Sequence, residues 1–263
     1  MHTGTGSKGA NMKNFINAYW KVILFFVLAG ILGGFFVGLY TLDSYPQEVQ
    51  QQILAQGITP TILGLVSAVQ SAGYGLVLGI LGILLSKKVG LWKDQVKFEK
   101  KPILFTILVA GVGGFAMIGL DVLFFGNYSQ AIADSYAVKP TVPYLLASVT
   151  YGAIIEEVML RLFMMSLIAF VLHRLFGRKK TDVSAALLVA ANILSALLFA
   201  AGHLPATAVL LGLSPMIIFR CFLLNGGLGL LFGWLYRKYG LHYAMLAHGG
   251  CHLVSKVIWV LFL

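Results

Sequence analysis

The chemistry-bearing stretch of this chain is Ile155-Glu156-Glu157-Val158-Met159-Leu160-Arg161, inside an apolar run from about Pro143 to Leu172. Two carboxylates and a guanidinium therefore fall where a bilayer would put hydrocarbon. By insertion scales each such charge costs about 2.5–3.5 kcal/mol. Residues of this kind persist when they pair, line a wet cavity or do chemistry. On a helix, Glu157 and Arg161 are one turn apart with the acid first, the favoured orientation for an ion pair. Glu156 is turned by roughly 100° from Glu157 and points to a different face. Pairing of Glu157 with Arg161 leaves Glu156 available. The competing reading is a purely structural ion network. It is weakened because burying an ion pair often costs more than it gains.

The other ionisable residues with apolar neighbours lie mostly in the C-terminal half. His203 closes Phe199-Ala200-Ala201-Gly202-His203, and His248 and His252 form an i, i+4 pair on one helix face. A single histidine on an apolar helix is more often a satisfied core residue. Several of them, in a chain that also buries Glu156, Glu157 and Arg161, point to a functional site. A carboxylate held out of bulk water can act as general base near neutral pH. Neutral imidazoles can orient a water, donate to an oxyanion or bind zinc. Carboxylate, water and histidines together make a hydrolytic site for an amide bond. No serine or cysteine is placed with a base partner, which disfavours a covalent nucleophile. The His248/His252 spacing suits a zinc helix, but Gly249 stands where H-E-x-x-H needs its glutamate.

Positioning these residues requires membrane helices. The chain has 263 residues, 59% hydrophobic and 11% charged, with a mean hydropathy of +0.89. Its apolar segments outnumber what one soluble core could hide, which predicts an all-α polytopic membrane bundle of about seven helices. The expected spans are Trp20 to Leu42, Thr59 to Leu85, Pro102 to Phe125, Pro143 to Leu172, Ser184 to His203 or Leu211, Pro215 to Tyr236, and Leu241 to Phe262. Residues 1–17 read as a polar tail, partly a cloning remnant, residues 18–263 as one transmembrane domain, and 143–263 as its catalytic part. No cleavable signal peptide is evident.

The net charge of +10 is explained by topology, not by nucleic acid. Basic connections (Lys8, Lys13 and Lys21; Lys87 to Lys101; Arg174, Arg178, Lys179 and Lys180; Arg237 and Lys238) alternate with base-poor ones. The positive-inside rule puts the N-terminus in the cytoplasm and the C-terminus outside. Trp20, Tyr40, Trp92, Tyr144, Trp234 and Tyr236 are placed for an aromatic belt. Cys221 and Cys251 both read as core residues. Of the remaining intramembrane charges, Lys256 is expected to snorkel. Arg220 is expected to snorkel, to hold a peptide carboxylate or to pair with Asp121.

Glu156-Glu157-x-x-x-Arg161, then Phe199-x-x-x-His203, then a late His248 resembles the CPBP intramembrane proteases, the Abi group related to the CAAX prenyl endopeptidase Rce1. The resemblance covers about Leu146 to Val254. It implies a membrane-embedded endopeptidase with a cavity among the later helices, acting on a membrane-delivered peptide or protein tail. It assigns Glu156 to water activation, His203 to holding that water or a metal, and His248 to the oxyanion, with Glu157 and Arg161 holding the site together. In this chain His252 stands where the family usually has asparagine, and Leu160-Arg161-Leu162 replaces the frequent Phe-Arg-Gly. A histidine at 252 can still donate to an oxyanion. Metal dependence stays open. If zinc is used, the ligands are His203, His248 and His252 with Glu156. The localisation implied is an integral protein of a bacterial cell membrane, with lipid and peptide as partners and no nucleic acid. Oligomeric state and prenylation of the substrate are not fixed by the residues. Some relatives of this type serve in bacteriocin immunity or signalling control, so a non-enzymatic partner-binding role is the alternative. A proton- or ion-coupled transporter ranks last, because the ionisable residues sit in one half with no inverted repeat.

Overall fold

The computed structural model describes residues 5–177 and 182–263, with side chains from 13 onward. Arg178, Lys179 and Lys180, counted above among the basic connections, lie outside the described residues, as do 1–4 and the side chain of Lys8. The described residues are 87% helical. Among the described residues six helices are long and apolar enough to cross a membrane: Lys13–Ser44, Pro60–Lys88, Lys100–Asn127, Ala185–Leu211, Pro215–Tyr239 and Leu241–Phe262. A seventh membrane-length run, 142–176, is helical throughout and carries Glu156, Glu157 and Arg161. The expected helical membrane bundle is what forms. The first helix starts at Thr5, so helix reaches into the stretch read as a tail. Short helices Gln47–Ala55 and Gln130–Ala137 lie in the first and third connections.

Local chemistry sets the helix starts. Thr59, Thr141, Ser184 and Ser214 each accept, through the side-chain hydroxyl, the backbone N–H three residues on. Proline follows in the first turn after Thr59, Thr141 and Ser214, where its missing N–H costs nothing. Between the sixth and seventh helices the reversal is made by Gly240 at φ 116°. That conformation favours glycine, and it lets the last helix fold straight back.

The fourth helix, 142–176, sits at the centre. It packs against the first, second, fifth and seventh helices, while the first packs mainly on the second and the third on the seventh. Between its α-helical ends it winds as π-helix over Ser148–Glu156 and Val158–Met165, with Glu157 at the join. π turns widen the helix by one residue per hydrogen-bonded ring, and they recur at functional sites. The buried side chains Val158, Leu162 and Met165 share the main core with Phe232, Tyr236 and Tyr243. Cross-helix hydrogen bonds fix the register: Ser195 Oγ donates to Leu160 O at 2.6 Å, and Asn192 Nδ2 to Leu230 O at 3.0 Å. Tyr236, placed in the aromatic belt by its sequence position, is instead fully buried and bonds the Ser166 hydroxyl at 3.1 Å. Cys221 and Cys251 are free and buried, as core residues.

Candidate active site

The paired carboxylates separate as their spacing predicts. Glu157 is completely buried, and its Oε1 lies 3.0 Å from Arg161 Nη1, itself 1% exposed. The same oxygen accepts from His248 Nδ1 at 2.9 Å. The Arg161 guanidinium is sandwiched by aromatic rings, 4.5 Å from the Phe199 centroid and 5.5 Å from that of Phe232. Cation–π contact of this kind compensates part of a guanidinium's desolvation. Glu156 differs: its side chain keeps 21% of its exposure, and its nearest ionic contact is His248 Nε2 at 3.8 Å. That gap is too long for a direct hydrogen bond.

Hydrogen bonds to acceptor-only groups fix two tautomers. His203 Nδ1 lies 2.8 Å from Phe199 O, and a carbonyl only accepts, so Nδ1 carries the proton. His203 Nε2 is left with its lone pair. By the same argument the Glu157 carboxylate holds the proton of His248 on Nδ1, leaving the neutral ring's Nε2 lone pair on the Glu156 side. His248 is held flat between Phe232, 4.6 Å away and stacked, and His252, 4.9 Å away and stacked. Phe199 presents its ring edge-on to both His203 and His248. His252 Nδ1 is buried with no hydrogen-bond partner among the described residues, so no such bond fixes this ring's tautomer.

Close approach of the fourth and seventh helices is what brings acid and imidazoles together. A Cβ at Gly152 would stand 3.1 Å from His252 Nε2 and 4.0 Å from His248 Nε2. Glycine is needed there for proximity, not for backbone conformation.

Glu156, His203, His248 and His252 line one cavity of about 540 Å³. Its walls come from the first, third, fourth, fifth, sixth and seventh helices and from the 138–141 connection. Pro205 is accommodated inside the continuous fifth helix, and His203 reaches the same cavity one turn beyond Phe199. Glu157 and Arg161 do not line it. Among the described residues no three His, Cys, Asp or Glu side chains converge closely enough to hold a metal ion. The zinc set left open by the sequence, His203, His248 and His252 with Glu156, therefore shares a cavity without forming a metal cage.

The other intramembrane charges also resolve. Arg220 and Asp121 form the pair suggested for them, through Arg220 Nε and Nη2, and Tyr136 Oη donates to Asp121 Oδ2 at 2.7 Å. Lys256 does not simply snorkel, as expected; it lines the cavity and donates from Nζ to Tyr144 Oη at 3.0 Å. Tyr40 and Tyr144 line the cavity too, which their positions near span ends did not reveal, and so does Tyr151 within the fourth helix. Asn225, an amide one helical turn after Cys221, is a further polar wall residue that sequence reasoning passed over. An amide inside an apolar span was the signal that could have found it.

In a comparison with known families, residues 138–254 fit the family model described as type II CAAX prenyl endopeptidase Rce1-like. The segment is 117 residues long and contains every candidate site residue from Glu156 to His252. The resemblance drawn from the three motifs is thereby supported at the level of a CAAX-protease-type membrane endopeptidase family. No curated protein and no solved structure matches the chain.

Proposed function

We propose, on the premise of that Rce1-like match over residues 138–254, that this chain is a membrane-embedded endopeptidase in which Glu156 activates water to cleave a membrane-delivered peptide or protein tail. The observation that carries the reading is the division between the two adjacent carboxylates. Glu157 is fully shielded and shared by Arg161 and His248, while Glu156 opens on the cavity that His203, His248 and His252 also line.

The chemistry follows from the hydrogen-bond polarity. Glu156 Oε2 and His248 Nε2, 3.8 Å apart, are spaced so that one water can touch both. A water offers two O–H donors. Glu156 accepts one, and a lone-pair imidazole nitrogen, on His248 or His203, accepts the other. The water oxygen is then free to attack a carbonyl carbon. Glu156 takes the proton as the C–O bond forms, the C–N bond breaks from the tetrahedral intermediate, and Glu156 returns that proton to the leaving nitrogen. His252, whose tautomer no Nδ1 hydrogen bond fixes, supplies an N–H to the developing oxyanion. The resemblance alone assigned the oxyanion to His248. With Nδ1–H committed to Glu157, His248 donates from Nε2 only as the imidazolium, so it holds water in the resting site. Glu157 and Arg161 orient His248 without touching substrate.

The test uses purified full-length protein and two quenched peptides, one with a farnesylated cysteine followed by Val-Ile-Met and one unprenylated. Cleavage of either that falls by about 10²–10⁴-fold in Glu156→Gln supports the reading. Cleavage that survives the substitution removes the mechanism. Absence of cleavage by the parent protein, with biological function retained by Glu156→Gln in cells, would favour the partner-binding role.

A further inference from the structure

The cavity around Glu156 is built at one pole of the bundle. Its deepest lining residue is Val37 on the first helix, Met117 on the third, Glu156 on the fourth, Phe199 on the fifth, Phe232 on the sixth and His248 on the seventh. From each of these the lining runs toward the same pole: the C-terminal ends of the first, third, fifth and seventh helices and the N-terminal ends of the fourth and sixth. Asp43, Ser44 and the 138–141 connection complete the rim. Among the described residues nothing from the opposite ends of these helices lines the cavity.

Beyond Glu156 the bundle is packed. The Glu157–Arg161 pair and the rings of Phe199 and Phe232 make the floor. Past them Val158, Leu162, Met165, Leu235, Tyr236 and Ala244 are each 1% exposed or less. A second recess at the far pole, between the 92–99 stretch and Lys238 to Tyr243, shares no lining residue with the cavity among the described residues.

Charge tells the two poles apart. The connections at the closed pole carry six lysines between Lys87 and Lys101, then Arg174, then Arg237 and Lys238. Those at the open pole carry Asp43, Glu48 and Asp134 against Lys139. By the positive-inside rule the closed pole is the cytoplasmic one.

The geometry points to a catalytic cavity that opens away from the cytoplasm, so that its substrate is a flexible peptide segment on the outer side of the membrane: a stretch of an exported peptide, or of a membrane protein just outside the bilayer. This rests on the endopeptidase reading of Glu156 and fixes which side supplies the substrate. Depth requires the flexibility. Glu156 lies fourteen helical residues in from Val142, a rise of up to about 21 Å. A folded domain cannot follow a cavity of about 540 Å³ to that depth, whereas an extended chain covers it in about six residues. A segment confined to the cytoplasm meets the packed floor instead.

The experiment uses full-length protein in sealed vesicles of two orientations, right-side-out and inverted. The probes are the two quenched peptides, made impermeant by added charge, and a membrane-impermeant methanethiosulfonate. Right-side-out vesicles should cut added peptide roughly tenfold or more faster than inverted ones, because charged groups do not readily cross hydrocarbon, and detergent should abolish the difference. Asn225→Cys, on the cavity wall, should react with the thiol reagent from the outer face and be protected in inverted vesicles. Lys97→Cys, exposed at the closed pole, should show the reverse. Cys221 and Cys251 are buried and leave little background. Faster cutting by inverted vesicles, equal cutting by both before detergent, or an Asn225→Cys thiol reached from the cytoplasmic face or from neither overturns the outward opening and leaves the endopeptidase intact. Cutting by neither orientation, even in detergent, removes the endopeptidase reading and the substrate with it, while outer-face labelling of Asn225→Cys would still establish the opening.

Discussion

Replacing Glu157 by glutamine should destabilise the protein far more than the same replacement at Glu156, although the two are neighbours in the chain. Glu157 is 0% exposed, and its Oε1 serves Arg161 at 3.0 Å and His248 at 2.9 Å. The substitution leaves the Arg161 guanidinium, 1% exposed, without its counter-charge. Breaking a buried pair by removing one partner costs about 3–5 kcal/mol. For a chain of this size each kcal/mol lowers the melting temperature by about 2–4 °C, which gives a drop of roughly 6–20 °C. Glu156, with 21% exposure and its nearest ionic contact at 3.8 Å, has no close partner to lose. Glu156→Gln should melt within about 2 °C of the parent while losing cleavage. Thermal unfolding in one detergent, followed by intrinsic tryptophan fluorescence, reads the first quantity, and peptide cleavage reads the second. Equal melting of the two variants would refute the division of labour between these carboxylates. So would a Glu157→Gln protein as stable as the parent.

Gly152→Ala places a methyl 3.1 Å from His252 Nε2; overpacking should cost about 1–3 kcal/mol, and displacement of the ring should cut cleavage by about tenfold or more, read by melting and by kcat/KM. Asp121→Asn takes the charge from beneath Arg220 and Tyr136 and should cost about 1–3 kcal/mol; a variant melting like the parent would show that this outer latch carries no stability. Ser195→Ala removes the 2.6 Å hydrogen bond to Leu160 O between the fourth and fifth helices and should cost about 0.5–1.5 kcal/mol, with cleavage per folded molecule little changed.

The bundle was legible because long apolar runs and alternating basic connections are one-dimensional signals. The Glu157–Arg161 pair was legible because one turn of helix fixes it. Asp121 and Arg220 could be matched because opposite charges stranded in apolar spans have few other partners. The π winding from Ser148 to Met165 was not readable, since the run has no proline and no periodicity that α-helix would not also give. Lys256 misled because snorkelling is the usual fate of a lysine near a span end; the rings of Tyr144 and Trp259, one of them far off in sequence, hold it inward instead. The tautomers of His203 and His248 depend on which acceptor each ring meets, and only coordinates show that.

The wide winding of the central helix means that the angle between the two carboxylates is set by backbone pitch and not by side-chain torsions. Adding a single residue within 148–155, beyond what the π winding already absorbs, would advance the helix by one position. Every side chain beyond the insertion would then swing by about 100°. Arg161 would be carried away from Phe199 and Phe232, and neither glutamate would keep its present neighbour. In this protein residue count along one helix acts as the dial that aims the acid, so length changes there should be far less forgiving than point substitutions around it.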